Sequence, residues 1–154
     1  MHELRSESER RVGRIQLPVP NFDCKDNVYK DYYAPIFVRG GHAVETVPAS
    51  LGIVPRRHIL PGVKVFDTMN ARSKSVDQKR SFSAAWKNLQ LCLIPCRTFY
   101  EPNYEMGKAV RWKIGMANGD PPAIAGLWRK WKEVDGSQTL AFTMLTGNSD
   151  EHPL

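Results

Sequence analysis

Three side chains that could do chemistry together stand at the ends of apolar runs. Asn70 and Arg72 follow one run, and Glu101 closes the segment Phe99-Tyr100-Glu101. An amide, a guanidinium and a carboxylate can hydrogen-bond a substrate, hold a phosphate and move a proton, provided that the fold directs them into one pocket. The alternative is a capped loop and a surface glutamate, because such trios also recur by chance.

The size and composition of the chain are those of one soluble globular domain. It has 154 residues, of which 42% are hydrophobic and 25% are charged, and this length allows a substantial core. The formal net charge of +6 favours a polyanionic partner, because an excess of positive charge attracts phosphates. Many basic proteins bind no nucleic acid, so the charge alone does not identify the partner.

Several protein classes are disfavoured by the sequence. No apolar run approaches the roughly 20 residues of a membrane span, and the first five residues lack the apolar core of a signal peptide. Cys24, Cys92 and Cys96 have neither disulfide-framework nor zinc-site spacing, which is typical of reduced thiols in the cytoplasm. We therefore expect a cytoplasmic monomer with no metal, no small-molecule cofactor and no membrane partner.

The first half of the chain is predicted to contain a polar start and a hairpin. Residues 1–11 are almost entirely polar, so we expect them to be disordered. A strand over 34–38 ends at Gly40-Gly41, a pair typical of a hairpin turn. Arg56 and Arg57 follow a short apolar run and form either a solvated loop or the basic edge of a phosphate-binding groove.

Apolar spacing predicts one helix in the middle of the chain. Phe82, Ala85, Trp86 and Leu89 recur with the helical period and would form one buried face. On this interpretation Trp86 belongs to the core rather than to a base-stacking surface. Residues 90–95 then form a buried strand.

The second half of the chain has the pattern of a β-meander. Apolar residues alternate from Val110 to Met116, which predicts a half-buried strand. Two further strands are expected over 123–131 and 140–145. The basic side chains expected on one face of these strands are Arg111, Lys113, Arg129, Lys130 and Lys132.

Seven short segments of the chain form a pattern when they are taken in order. They are Tyr33-Ala34-Pro35, Leu51-Gly52-Ile53-Val54-Pro55, Asn70-Ala71-Arg72-Ser73, Cys92-Leu93-Ile94-Pro95, Phe99-Tyr100-Glu101, Ala123-Ile124-Ala125-Gly126-Leu127-Trp128, and Phe142-Thr143-Met144-Leu145-Thr146 before Asn148. No single segment is specific, but seven in register are. In order and approximate spacing over residues 29–154, the chain resembles the SRAP proteins, the SOS-response-associated peptidases that are also called abasic-site processing proteins.

The resemblance implies a single α+β domain with a β-barrel-like antiparallel core and short flanking helices. It also implies a DNA-damage response protein that binds single-stranded DNA at abasic sites, in the cytoplasm or on the nucleoid. In this family the cysteine exposed by removal of the initiator Met closes a thiazolidine ring with the abasic aldehyde. The same cysteine is held to act as nucleophile when the protein removes its own leader.

The resemblance also assigns roles to individual residues. Asn70 matches an asparagine that positions the reacting centre. Glu101 matches the acid that shuttles protons during aldehyde ring-opening and imine formation, a role that partial burial would favour. Arg72 matches an arginine that contacts DNA phosphate, and Arg56 and Arg57 are further DNA-binding candidates.

Two features depart from the family pattern. Residue 2 is His2 where the family has cysteine, and the first cysteine of this sequence is Cys24. The sequence also reaches Leu154 before the family motif that contains the catalytic histidine, and His152 is not that histidine. We therefore expect a partial domain over residues 12–154, without the N-terminal cysteine strand and the C-terminal histidine strand.

Three functions stay open at the level of the sequence. The chain is a truncated or mis-started SRAP enzyme of the peptidase or hydrolase type, or a non-catalytic module that binds single-stranded DNA, or a structural remnant. Whether it is an enzyme therefore stays open as well. As the sequence is written, we expect no covalent crosslink to DNA, because the nucleophile is absent.

Overall fold

The computed structural model describes residues 23–147, so the predicted disordered start over 1–11 lies outside the described residues. A 3-10 turn, Arg56–His58, separates the second and third strands. The elements in chain order are β1 (Tyr33–Arg39), β2 (Val44–Leu51), β3 (Asn70–Arg72), α1 (Ser83–Lys87), β4 (Leu91–Pro95), β5 (Phe99–Asn103), β6 (Val110–Ile114), β7 (Ala123–Lys132) and β8 (Gln138–Thr146). No helix among these residues is long and apolar enough to cross a membrane.

Five strands form a small closed barrel. Their order is β2, β1, β4, β7 and β8, and these neighbours pair antiparallel. The barrel closes through a short parallel pairing of β2 with β8, in which Ser50 lies opposite Ala141 and Leu51 lies opposite Phe142. The expected barrel-like core with short helices is confirmed. The barrel is not wholly antiparallel, because β2 and β8 pair in parallel. Within residues 23–147 the helices are α1 and the 3-10 turn.

Alternation along the strands divides the apolar residues between two clusters. On β8, Phe142 belongs to the cluster that fills the barrel, whereas Leu145 packs with a second cluster on the outside. Successive strand residues point to opposite faces of a sheet, so one strand serves both clusters. The buried members of the interior cluster are Ala34, Ile36, Val38, Ala49, Leu51, Cys92, Ile94 and Phe142. Those of the outer cluster are Ile53, Ala71, Val76, Phe82, Ala85 and Leu127.

The predicted helix is present but shorter than its apolar stripe suggests. Phe82 and Ala85 are buried in the outer cluster, whereas Trp86 is 37% exposed and Leu89 is 75% exposed. The helix ends at Lys87, and Leu89 has a left-handed φ of 53°. The prediction that Trp86 and Leu89 complete a buried face is therefore wrong, because the chain turns away after little more than one helical turn.

Strands β4 and β8 run in the same direction, because both are antiparallel to β7. β3 pairs parallel with the second half of β8, on the side of β8 where β2 pairs with the first half. The C-terminal ends of β3, β4 and β8 therefore point toward the same end of the barrel. We call this the arm end, because the next two strands extend from it.

The hairpin of β5 and β6 is a separate two-stranded sheet, which we call the arm. It continues from β4 and leads into β7, and the backbone N–H of Cys96 donates to the carbonyl of Pro122 at its base. Val110, Trp112 and Met116 are exposed, so the prediction of a half-buried strand is wrong. The alternation is present, but among the described residues no second layer covers the arm.

Candidate nucleic-acid interface

β3 positions Asn70 and Arg72 at the arm end of the barrel. Between them, Ala71 is fully buried in the outer cluster, so the two polar side chains lie on the opposite face. That face is shared with Met144, which lies opposite Asn70 and packs against the interior cluster. Asn70 and Arg72 are nevertheless exposed, which places them at the open end of the barrel rather than inside it.

Arg72 lines a cleft of about 190 Å³ with hydroxyl groups and a second cation. The backbone N–H of Ser73 donates to the carbonyl of Thr146 over 2.9 Å, which joins the end of β3 to the end of β8. The other lining residues are Lys74, Ser75 and Gly147. With two cations, three hydroxyls and no carboxylate among its lining residues, this basic cleft suits an anion such as a phosphate.

Among the described residues, the side chains of Asn70 and Arg72 have no hydrogen-bond or ion-pair partner. The neighbouring polar groups bond to backbone instead: the hydroxyl of Thr146 donates to the carbonyl of Ala71 over 3.5 Å. Both donors of β3 are therefore available to a ligand.

The arm positions Glu101 directly opposite Trp112 in the ladder of β5 and β6. Directly opposed residues share a face of an antiparallel pair, so Tyr100 and Arg111 lie on the other face. There the guanidinium of Arg111 lies 4.0 Å from the centroid of the Tyr100 ring. Tyr100, Glu101, Pro102, Ala109 and Arg111 line a second cleft of about 380 Å³.

Glu101 is exposed, so the partial burial that would favour its role as an acid is not present. A two-stranded arm buries a side chain only where another layer packs against it, and none of the described residues does so here. Glu101 and Arg72 line different clefts, and the described contacts do not join them. The structure thus brings Asn70 and Arg72 together on β3 and places Glu101 on the arm that extends from the same end.

Arg57 is held by a carboxylate from the turn after β7. Its Nε and Nη2 atoms donate to Oε1 of Glu133 over 3.0 and 2.7 Å, and Nη2 also donates to the hydroxyl of Thr139 over 3.0 Å. The hydrogen bonds from Arg57 lower the pKa of Glu133 to about 2, and those to Glu133 raise the pKa of Arg57. DNA binding by Arg57 stays a prediction, and most of its donors already have a protein partner.

Arg56 is more accessible than Arg57. Its side chain is 71% exposed, and its Nε lies 3.8 Å from a carboxylate oxygen of Asp31. Its backbone N–H donates to the other oxygen of Asp31 over 3.1 Å, so the 3-10 turn is fixed while the guanidinium faces solvent. A DNA contact by Arg56 also stays a prediction.

A stack around Trp131 was not anticipated from the sequence. The ring of His58 lies 4.5 Å from the Trp131 ring, and the guanidinium of Arg129 lies 3.9 Å from it. The indole N–H of Trp131 donates to the carbonyl of Ile53 over 2.9 Å. This stack and the ion pair of Glu133 attach the 3-10 turn to β7. Arg129, which the sequence predicts on a basic face, therefore makes a structural contact.

The residues of the basic cleft other than Arg72 were also missed. Ser73, Lys74 and Ser75 follow Arg72 directly in sequence, and Thr146 ends β8. Ser73, Lys74 and Ser75 could have been recognised by their position directly after Arg72 and by the hydroxyl groups of the two serines. The parallel pairing that brings Thr146 to β3 has no local sequence signal.

Two of the three cysteines of the described region, Cys92 and Cys96, are poor candidates for chemistry. Burial raises the pKa of Cys92 to about 12 and also raises the pKa of Cys96, and thiols at neutral pH are weak nucleophiles when their pKa is raised. The prediction of a buried thiol is confirmed for Cys92, whereas Cys96 is half-buried. Within residues 23–147 no group of three or more His, Cys, Asp or Glu side chains is placed to hold a metal ion.

The fold and the cleft define a single-domain, barrel-like β protein with a basic site at one end. Residues 2–153 match the family described as SOS response associated peptidase (SRAP), and the chain therefore belongs to this family. None of the curated proteins matches the chain.

Two solved structures show the same fold. One is the crystal structure of a Bordetella bronchiseptica protein, with 28% sequence identity and a TM-score of 0.75, in which the match covers 97% of this chain and 72% of that chain. The other is a Bacteroides thetaiotaomicron protein, with 17% identity and a TM-score of 0.55 over 79% of this chain and 56% of that chain. At that identity the second likeness concerns the fold alone.

Proposed function

We propose that this protein binds single-stranded DNA at abasic sites through the arm end of its barrel. The observation that carries the proposal is the basic cleft beside Asn70 and Arg72, on the segment that matches the family. Arg72 and Lys74 supply positive charge there, with hydroxyls from Ser73 and Thr146. The formal net charge of +6 acts in the same direction, because it attracts phosphates over a longer range.

In this proposal Arg72 and Asn70 have different tasks. The guanidinium of Arg72 holds a backbone phosphate with parallel hydrogen bonds, which fixes the register of the strand without reading its sequence. The amide of Asn70, two residues away on the same face of β3, hydrogen-bonds the sugar that has lost its base. An amide does not titrate, so this contact is the same at every physiological pH.

Glu101 would act on the abasic sugar by proton transfer. Opening of the cyclic sugar requires a proton to leave the C1 hydroxyl and another to reach the ring oxygen, and a carboxyl group can carry both in turn. The family assigns that role to the position of Glu101. The arm must then hold its carboxylate beside the sugar that Asn70 contacts.

The test is fluorescence anisotropy with a labelled 15-nucleotide oligodeoxythymidylate that contains one tetrahydrofuran abasic analogue. Arg72→Ala is expected to weaken binding roughly tenfold, the loss of one charge-assisted contact, and to lower the salt slope by about one. The matched control is Arg39→Ala. Arg39 is exposed at the end of β1, which lies at the opposite end of the barrel because β1 and β4 are antiparallel.

The two arginine variants separate a local site from the general effect of charge. Arg39→Ala should change the affinity less than twofold, and the wild type should bind the abasic oligonucleotide more tightly than the same oligonucleotide without the lesion. Equal losses in both variants, or no binding by the wild type, would refute the proposed function.

A further inference from the structure

The arm carries one exposed indole, that of Trp112. Trp112 is 49% exposed, and among the described residues it makes no ring contact, cation contact or side-chain hydrogen bond. The two tryptophans of the barrel strand β7 differ from it. Trp131 is stacked and hydrogen-bonded, and Trp128 packs against the interior cluster.

The register of the arm places this indole beside the proposed proton-transfer group. Trp112 lies directly opposite Glu101, and opposed residues of an antiparallel pair have Cβ atoms about 5 Å apart on the same face. A flat group stacked on the indole would therefore lie next to the Glu101 carboxylate. A single strand whose base stacks there brings the neighbouring nucleotide to Glu101.

The charges of the arm favour nucleic acid over protein as the group that covers Trp112. Residues 97–116 carry four cations and two carboxylates, and Arg111 and Lys113 flank Trp112 on the opposite face of β6. On the indole face, Glu101 and Asn103 lie beside the apolar Phe99, Val110 and Ile114. This mixture suits a partly polar ligand such as a nucleotide better than the apolar core of a protein interface. Aromatic platforms beside cations are the common elements of single-strand binding sites.

We propose that Trp112 is a base-stacking residue that holds the base next to the abasic position, so that the sugar without a base lies at Glu101. This inference rests on the proposed function and assigns it a specificity-determining residue. Stacking needs an unpaired base with a free face, which a single strand offers and a paired duplex does not. Trp112 thereby selects single-stranded over double-stranded DNA.

The experiment compares Trp112→Ala, Trp112→Phe and Trp86→Ala in the same anisotropy assay, with the abasic single strand and with an intact duplex of equal length. Trp86 is the matched control because it is also partly exposed but lies on α1. Trp112→Ala should weaken single-strand binding by roughly 5- to 100-fold, the range for loss of one base–aromatic stack. Trp112→Phe should retain most of the affinity.

Four readouts separate stacking from other roles. The salt slope of Trp112→Ala should equal that of the wild type, because stacking releases no counterions, and duplex binding should be unchanged. The melting temperature should also change little, since the indole belongs to neither core cluster. Sedimentation should show a monomer for both the wild type and the variant.

The inference fails on its own if the wild type binds and Arg72→Ala weakens binding, but Trp112→Ala binds as the wild type does or loses no more than Trp86→Ala. It also fails if the wild type is a dimer that Trp112→Ala converts to a monomer, because the indole would then serve a second copy of the chain. No binding by the wild type would refute the proposed function, and this inference with it.

Discussion

At the scale of the residue, the formation of a thiazolidine depends on where amines and thiols occur in the chain. A thiazolidine forms when the amine and the thiol of one residue both add to an aldehyde carbon, with loss of water. Residue 2 is His2, and the cysteines of the sequence are the internal Cys24, Cys92 and Cys96. An internal cysteine has its nitrogen in a peptide bond and cannot close the ring.

We therefore predict that a polypeptide of residues 1–154 forms no thiazolidine with abasic DNA. Incubation with a single-stranded oligonucleotide that carries a true abasic site, followed by a denaturing gel, should show only free DNA. The variant His2→Cys, with the initiator Met removed, is the matched control, because it restores an N-terminal amine and thiol on one residue. A slowly migrating band with the unchanged polypeptide would contradict the prediction.

The sequence shows the types of the candidate residues but not their environments. Asn70 and Arg72 are both exposed on β3, and their roles stay predictions. The exposure of Glu101 has no signal in the sequence, because burial depends on what packs against an element and not on the residues that compose it. The pairing of Arg57 with Glu133, 76 residues away, left no local pattern to find.

At the scale of the element, the 3-10 turn depends on one carboxylate. Glu133 accepts hydrogen bonds from Arg57 and Thr139 and lies 3.2 Å from Nε2 of His58. These contacts favour the ionised carboxylate and lower its pKa from 4.5 to about 2. A carboxyl whose pKa is lower in the folded state stabilises the fold above pH 4.5 and loses that contribution as the pH falls toward 2.

We predict that Glu133→Gln lowers the melting temperature by a few degrees at pH 7 and by progressively less as the pH falls from 4.5 to 2. The amide can still accept a hydrogen bond but no longer carries the charge that Arg57 pairs with. Thermal unfolding followed by circular dichroism at several pH values would measure both effects. Glu105→Gln is the control, because the Glu105 carboxylate has no partner among the described residues, and it should show no such pH dependence.

The strands themselves were predicted well and their arrangement was not. The strands of the second half appear where alternation predicts them, as β6, β7 and β8. β7 and β8 need that period because they pack against core clusters, whereas β6 alternates without a covered face. The separation of the arm from the barrel depends on the break at Cys96 to Thr98 and on the loop before β7. The strand sequences do not show whether a strand belongs to an uncovered arm or is covered by another layer.

At the scale of the whole molecule, the arrangement of the arm end depends on closure of the barrel. β8 pairs with β7 on one side and with both β2 and β3 on the other, so it connects the barrel wall to the strand that carries Asn70 and Arg72. β7 in turn leads back to the arm. Displacement of β7 relative to β8 would therefore move the basic cleft and the arm together.

Gly126 is the position at which the contact between these strands leaves no space. It pairs with Cys92 on β4 and with Met144 on β8. A Cβ there would lie within 3.0 Å of three groups. Two are side chains of the interior cluster, and the third is the backbone carbonyl of Thr143, which cannot move without displacing β8. A barrel of five strands has a narrow interior, so a methyl group added there cannot be accommodated elsewhere.

We predict that Gly126→Ala lowers the free energy of unfolding by about 1–3 kcal/mol, the range for an added methyl group in a packed core, and weakens DNA binding through displacement of β8. Urea unfolding followed by tryptophan fluorescence would measure the stability change. Gly41→Ala is the matched control, because its Cβ would meet no atom within 4 Å; it should change the free energy of unfolding by less than about 0.5 kcal/mol. If the Gly126→Ala protein is as stable as the control, β7 and β8 can separate without loss of packing. Closure of the barrel would then not be what holds the basic cleft and the arm in place.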